Sequence, residues 1–234
     1  MERLDKAFSS SKLYSRSEIT KIIKQKRVSV NGSVVSDPSK KIDVLIDEVY
    51  LDGEKVIFSK FSYIMLNKPQ NVVSSTDDNR DKTVIDILPK ELKRKGLFPV
   101  GRLDKDTVGL VILTDDGVSA HKRLSPKNHA EKVYYFETAN SVSEEIAKEI
   151  EGGVLLKDGY KTKPCKVKLI TDCSGEITLT EGKYHEIKRI FGAKGNKITF
   201  LERISFAGIL LDKNLKRGEA RLLTATEQEL FTRD

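Results

Sequence analysis

From Tyr63 to Leu201, short apolar runs of strand length alternate with amphipathic stretches of helical length, and no other pattern in the chain narrows its fold so sharply. Tyr63-Ile64-Met65-Leu66 reads as a buried strand that Asn67-Lys68-Pro69 stops. Leu110–Leu113 is a second, followed by the turn Asp115-Asp116-Gly117 and a helix. Lys132–Thr138 predicts a strand, Ser143–Glu151 a helix, and Cys165–Ile170 and Ile177–Thr180 two more strands. Tyr184–Phe191 reads as a helix with Ile187, Ile190 and Phe191 on its core side; Gly195-Asn196 ends it and Lys197–Leu201 returns to the sheet. Strands interleaved with helices over residues 61–234 call for one α+β or α/β domain with a mixed sheet.

A smaller unit of different chemistry precedes it. Leu4–Ser10 predicts a helix. Ser15-Arg16-Ser17-Glu18 has the spacing of a capping box, and Ile19, Ile22 and Ile23 give the helix it starts one apolar face. Val28-Ser29-Val30 then alternates like a strand, with Asn31-Gly32 as the turn of a tight hairpin into Val34-Val35. Phe58–Phe61 is read as the last strand and the linker, with the boundary near Lys60. Residues 1–41 hold ten Lys/Arg against four Asp/Glu, whereas residues 42–62 hold two against five. A basic block of folded length within a chain of net charge +7 suits a polyanion, although an ordinary solvated basic face has the same composition.

Several functional classes are disfavoured. Cys165 and Cys173 are the only cysteines, read as a buried strand thiol and a surface thiol, and with His121, His129 and His185 they make no local zinc pattern. No Gly-x-Gly-x-x-Gly or P-loop run is present, so no cofactor and no metal are expected. No apolar run approaches the ~18 residues of a membrane span, and the opening MERLDKAF lacks the apolar core of a signal peptide. A cytoplasmic monomer without a membrane partner is the expectation.

The segment Gly101-Arg102-Leu103-Asp104-Lys105-Asp106-Thr107-Val108-Gly109-Leu110 is the richest in chemistry. It is a loop entering a strand, with a glycine near each end and a basic residue on either side of Asp104. On its residues alone it is either a functional loop or a surface turn in which Arg102 and Lys105 solvate Asp104 and Asp106. In an extended chain, Asp104 and Asp106 would face opposite sides, against a hydrolase with two flanking carboxylates.

GRLDKDTVGL resembles the G-R-L-D-x-D-(ST)-x-G-L signature of the RsuA/RluA group of pseudouridine synthases. The chain is similar elsewhere too: YIMLNKP to the group's first motif, Lys132-Val133-Tyr134 to its K-x-Y strand, EGKYHEIKRI to its E-G-(RK)-x-H-Q-V-(RK)-R-M helix, and Arg221-Leu222-Leu223-Thr224 to its R-x-L-T. RLDKAF, YSRSEITKIIKQKRVSVNG and the Asp-Gly of LDGEKV resemble the S4 RNA-binding module. The resemblance implies an S4-like domain over residues 1–60 and, over 61–234, a catalytic domain with a mixed, mainly antiparallel sheet flanked by helices. It implies Asp104 as the catalytic aspartate, Lys188 as its ion-pair partner, Tyr134 stacking on the target base, Arg102 entering the RNA stack, and Leu223 among the substrate-binding residues. Asp106 and Leu103 would support the loop. Arg16, Lys21, Lys24, Lys26 and Arg27 would grip RNA phosphates.

Asn71, Glu186, Ala220 and Leu222 depart from the usual Gly, Gln, aromatic and Pro of these motifs. Asp77-Asp78, Ser125-Pro126 and the chain length fit the small-subunit subgroup, so the implied partner is small-subunit ribosomal RNA or an assembling small subunit. Other readings are a synthase for large-subunit RNA, a non-catalytic RNA-binding assembly factor and a nucleoside glycosidase.

Overall fold

A computed structural model describes residues 1–11, 14–44, 46–56, 58, 61–125, 128 and 130–233. It separates into two units, Met1–Ser62 with Arg94–Gly96, and Tyr63–Lys93 with Leu97–Asp234. Lys60, where the boundary was expected, lies outside the described residues, as do Pro126 and His129.

The first unit runs β1 (Glu2–Arg3), α1 (Leu4–Ser10), α2 (Arg16–Lys24), β2 (Val28–Val30), β3 (Ser33–Val35), β4 (Lys41–Ile42), β5 (Val49–Leu51) and β6 (Glu54–Val56). The capping box forms: Ser15 Oγ accepts from the Glu18 amide at 3.3 Å and Glu18 Oε2 accepts from the Ser15 amide at 2.8 Å. Asn31 and Gly32 both take left-handed φ values, 50° and 76°, as a two-residue hairpin of matching twist demands. The sheet order is β3-β2-β5-β6, antiparallel throughout. Ile19 and Ile23 pack with Leu4, Phe8, Val28, Val30 and Ile42 into its core, each contributing about 2 kcal/mol. Phe58 and Phe61 lie in no strand; β6 is the last, and Phe58 instead meets Phe8 edge-on at 5.0 Å.

The second unit continues with β7 (Tyr63–Lys68), β8 (Phe98–Pro99), β9 (Val108–Thr114), α3 (Gly117–Leu124), β10 (Lys132–Thr138), α4 (Glu144–Glu151), β11 (Lys166–Thr171), β12 (Ser174–Leu179), α5 (Glu186–Ala193), β13 (Ile198–Phe206), β14 (Ile209–Leu210), β15 (Ala220–Leu222) and α6 (Ala225–Thr232). Nine strands form one sheet, ordered β11-β12-β10-β13-β9-β7-β15, with β14 on β13 and β8 on β9. All pairs are antiparallel except β9 with β13, so the sheet is mixed and mainly antiparallel. Asp116 caps α3, accepting from the Val118 and Ser119 amides, and its other oxygen accepts from the Tyr63 hydroxyl at 2.7 Å.

Helix α5 starts two residues later than its periodicity suggests, because His185 is left-handed with φ 49°. Its apolar face, Ile187, Ile190 and Phe191, is buried, with Phe191 against Phe136 at 4.7 Å. Strand β13 runs five residues past Leu201, to Phe206. β15 and α6 were not expected. α6 is set by a second capping box, Thr224 with Glu227, and Arg123 of α3 donates to the carbonyls of Leu230, Phe231 and Arg233 at its end.

Candidate active site

The loop 101–107 enters β9 and is held from below by β7 and the turn after it. Lys68 is fully buried and donates to the carbonyls of Pro69 at 3.0 Å, Lys105 at 3.3 Å and Thr107 at 2.8 Å. Burial pushes its ammonium down to about 8, against the opposing pull of Asp106 and Asp104. Asn71, left-handed at φ 62°, donates its amide to the Lys105 carbonyl at 2.9 Å. Ser74 Oγ is within 3.0 Å of the Leu103 amide and 3.1 Å of its carbonyl. Three polar residues from one segment therefore fix the backbone on both sides of Asp104.

The side-chain geometry follows from a turn. The Thr107 amide donates to the Asp104 carbonyl at 3.1 Å, so the backbone doubles back instead of extending. The expectation that Asp104 and Asp106 face opposite sides is thereby corrected. Lys188 Nζ, one turn into α5, reaches Asp104 Oδ2 at 2.9 Å and Asp106 Oδ1 at 2.6 Å. Burial works against the Lys188 ammonium, but the two carboxylates hold it above its usual range. Asp106 is likewise pulled below the carboxylate range by Lys188 despite partial burial. His185 Nε2 lies 3.4 Å from Asp104 Oδ1, and its ring stacks on Tyr184 at 3.8 Å.

Asp104 opens into a cleft of about 70 Å3, walled by Arg102, Tyr134, Ile187, Lys188 and Leu201. Tyr134 is buried on β10, opposite Ile177 of β12 and Arg203 of β13. Four of the expected site residues, Arg102, Asp104, Tyr134 and Lys188, thus converge on one cleft. Leu223 is not brought there. Its amide donates to the Tyr63 carbonyl, at the end of the β7–β9 pair opposite Lys68 and Gly109, roughly 17 Å along the strand.

Sequence reasoning did not single out Lys68, Ser74 or Arg203. A lysine within an apolar run, as in YIMLNK, is the one signal that could have pointed to Lys68.

In the first unit, Lys21, Lys24 and Lys26 are exposed. Arg16 instead pairs with the buried Asp5 at 3.2 Å, and Arg27 clasps Asp52 through Nε and Nη2. These two arginines brace the fold as well as adding charge.

The family model described as RNA pseudouridylate synthase matches residues 62–193, the stretch that carries the Asp104 loop, Tyr134 and Lys188. The chain belongs to the RNA pseudouridylate synthase family. An S4 domain model matches residues 2–44 of this synthase. It is 42% identical over 233 residues to an RNA pseudouridine synthase of Bacillus subtilis (YtzG), covering 98% of each chain. It is 40% identical over 229 residues to the ribosomal small subunit pseudouridine synthase A of Haemophilus influenzae, covering 97% of this chain and 98% of that one. A crystal structure of a pseudouridylate synthase is similar with a TM-score of 0.70 at 39% identity, over 99% of this chain and 100% of the other. Among the described residues, no helix of the synthase is long and apolar enough to cross a membrane.

Proposed function

We propose that this synthase isomerises one uridine of small-subunit ribosomal RNA, as a cytoplasmic monomer, with Asp104 as its catalytic carboxylate. The observation that carries the reading is the Asp104–Lys188 pair, 2.9 Å long, at the floor of a cleft that Arg102 and Tyr134 also line. The choice of RNA is supported by the near-full-length similarity to the small subunit synthase of Haemophilus influenzae.

In this reaction the N1–C1′ bond breaks, the base turns, and a C5–C1′ bond forms; C5 loses a proton and N1 gains one. No electrons are exchanged with a second reactant. The uridine lies in folded RNA, so it must leave the stack first. Arg102, exposed at the cleft mouth, fills the gap, and Tyr134 offers its ring to the uracil. Lys188 holds Asp104 in place beside the sugar. Lys21, Lys24 and Lys26 of the first unit bind phosphates of the same RNA.

The test is to incubate wild-type protein and Asp104→Asn with small-subunit RNA lacking pseudouridine, then map pseudouridine by carbodiimide-stop primer extension. One new stop made only by the wild type is expected. Stops only on large-subunit RNA would reassign the substrate, and none on either RNA or on partly assembled subunits would favour a non-catalytic assembly factor.

A further inference from the structure

A second cleft, of about 340 Å3, shares Arg102, Tyr134, Glu181 and Lys183 with the Asp104 cleft. Its walls carry five cations, Arg102, Lys132, Lys163, Lys183 and Arg203, against one carboxylate, Glu181. Among the described residues none of the five makes an ion pair, whereas Arg189, Lys194, Arg217 and Arg221 of the same unit all do. Glu181 is committed elsewhere: it accepts from the Tyr160 hydroxyl at 2.6 Å and from the Lys163 amide at 2.9 Å.

Arg203 makes the cleft more than a basic surface. It is 1% exposed, its Nε donates to the Leu110 carbonyl at 2.7 Å, and its Nη2 has no acceptor among the described residues. A charged donor at that depth is strongly unfavourable unless an anion meets it. Lys132 lies over the same Phe206 ring, with Nζ 5.6 Å and the Arg203 guanidinium 5.0 Å from its centroid. Burial, and then the charge of Arg203, push the Lys132 ammonium down. Two like charges on one apolar wall, one of them a planar fork, suit a phosphate oxygen pair.

We infer that this cleft is a phosphate subsite, in which Arg203 and Lys132 together hold a phosphodiester flanking the nucleotide bound at Asp104. The inference rests on the RNA substrate proposed above. The shared wall at Arg102 and Tyr134 makes the anion part of the same strand as the target.

The full chain would be titrated with a labelled single-stranded oligouridylate at several salt concentrations. Lys132→Gln is expected to weaken binding roughly tenfold and to flatten the log–log salt slope by about 0.7. Arg203→Lys, which keeps the charge and loses the fork, should weaken binding comparably. The double variant should lose no more than about twofold beyond either single change, because both partners serve one phosphate. Lys213→Gln, on an exposed lysine of the same unit, should leave affinity and slope unchanged. Unaltered binding in Lys132→Gln, full additivity of the pair, or wild-type binding without salt dependence would each overturn the subsite. Should Arg203→Lys fail to fold by its melting curve, the affinity and salt slope of Lys132→Gln against Lys213→Gln decide the test. Binding is read without turnover, so a wrong assignment of the ribosomal substrate would leave this result standing and would be recognised separately.

Discussion

A Cβ atom placed on Gly109 would lie 2.4 Å from the carbonyl oxygen of Arg203. This contact is where β9 and β13 form the sheet's one parallel pairing, and Gly109 adopts φ +100° to make it. Gly109→Ala therefore meets both a backbone clash and a strained backbone. It should destabilise the protein by on the order of 3 kcal/mol, read as a fall in the urea unfolding midpoint. A loss below about 1 kcal/mol would mean that the two strands can part without cost.

Lys188 is the shared counter-ion of Asp104 and Asp106, so Lys188→Met leaves two carboxylates facing each other. With Asp104 as the proposed reacting group, we expect kcat to fall by about 10²–10³ with little change in KM. A raised KM at unchanged kcat would instead make Lys188 an RNA contact.

Glu186 gives a pH signature. It is 4% exposed, and burial, followed by the neighbouring Glu181 carboxylate, pushes its carboxyl from 4.5 up to about 8. The folded chain thus keeps a proton that the unfolded chain releases near 4.5. Its stabilising effect is complete below that value and is lost as the pH rises toward about 8. Melting temperatures at pH 5 and pH 8 should differ less in Glu186→Gln than in the wild type. An unchanged difference would show that Glu186 titrates normally.

Lys21, Lys24 and Lys26 are exposed cations of the first unit that make no ion pair among the described residues. Changing all three to Gln should reduce the salt slope of binding to structured ribosomal RNA by roughly 2–3, at about 0.9 per phosphate contact, without altering the melting temperature. The corresponding change at Arg27 should lower the melting temperature as well, because Arg27 also holds Asp52. Equal melting curves for the two variants would show that the Arg27–Asp52 pair is not structural.

What could be read ahead of the structure was local. Strand β10 occupies the Lys132–Thr138 run read as a strand, and α4 lies within the Ser143–Glu151 stretch read as a helix, with Ser143 as its cap. The capping box at Thr224 has the same spacing as that at Ser15, yet α6 was missed because only Phe231 of its eight residues is buried, leaving no apolar stripe to read. The site was legible as a set of residues but not as a geometry. The turn that turns Asp104 and Asp106 toward one lysine depends on Lys68, Asn71 and Ser74, more than thirty residues away for the first two contacts to Lys105. Leu223 was misplaced for the same reason: a motif identifies a residue, while strand register decides which end of the sheet it occupies.

The single parallel junction also sets the order in which the enzyme can come into being. Strand β9 carries the Asp104 loop, pairs with β7 and β8 that precede it in the chain, and lacks its parallel neighbour at Val108 and Gly109 until β13 emerges nearly a hundred residues later. Lys188 lies on the helix just before β13, and Arg203 on β13 itself. A nascent chain released through residue 180 would display an aspartate loop with neither its lysine nor its closing strand. Competence to modify RNA therefore arrives late and all at once, when the last third of the chain supplies the lysine and the closing strand together.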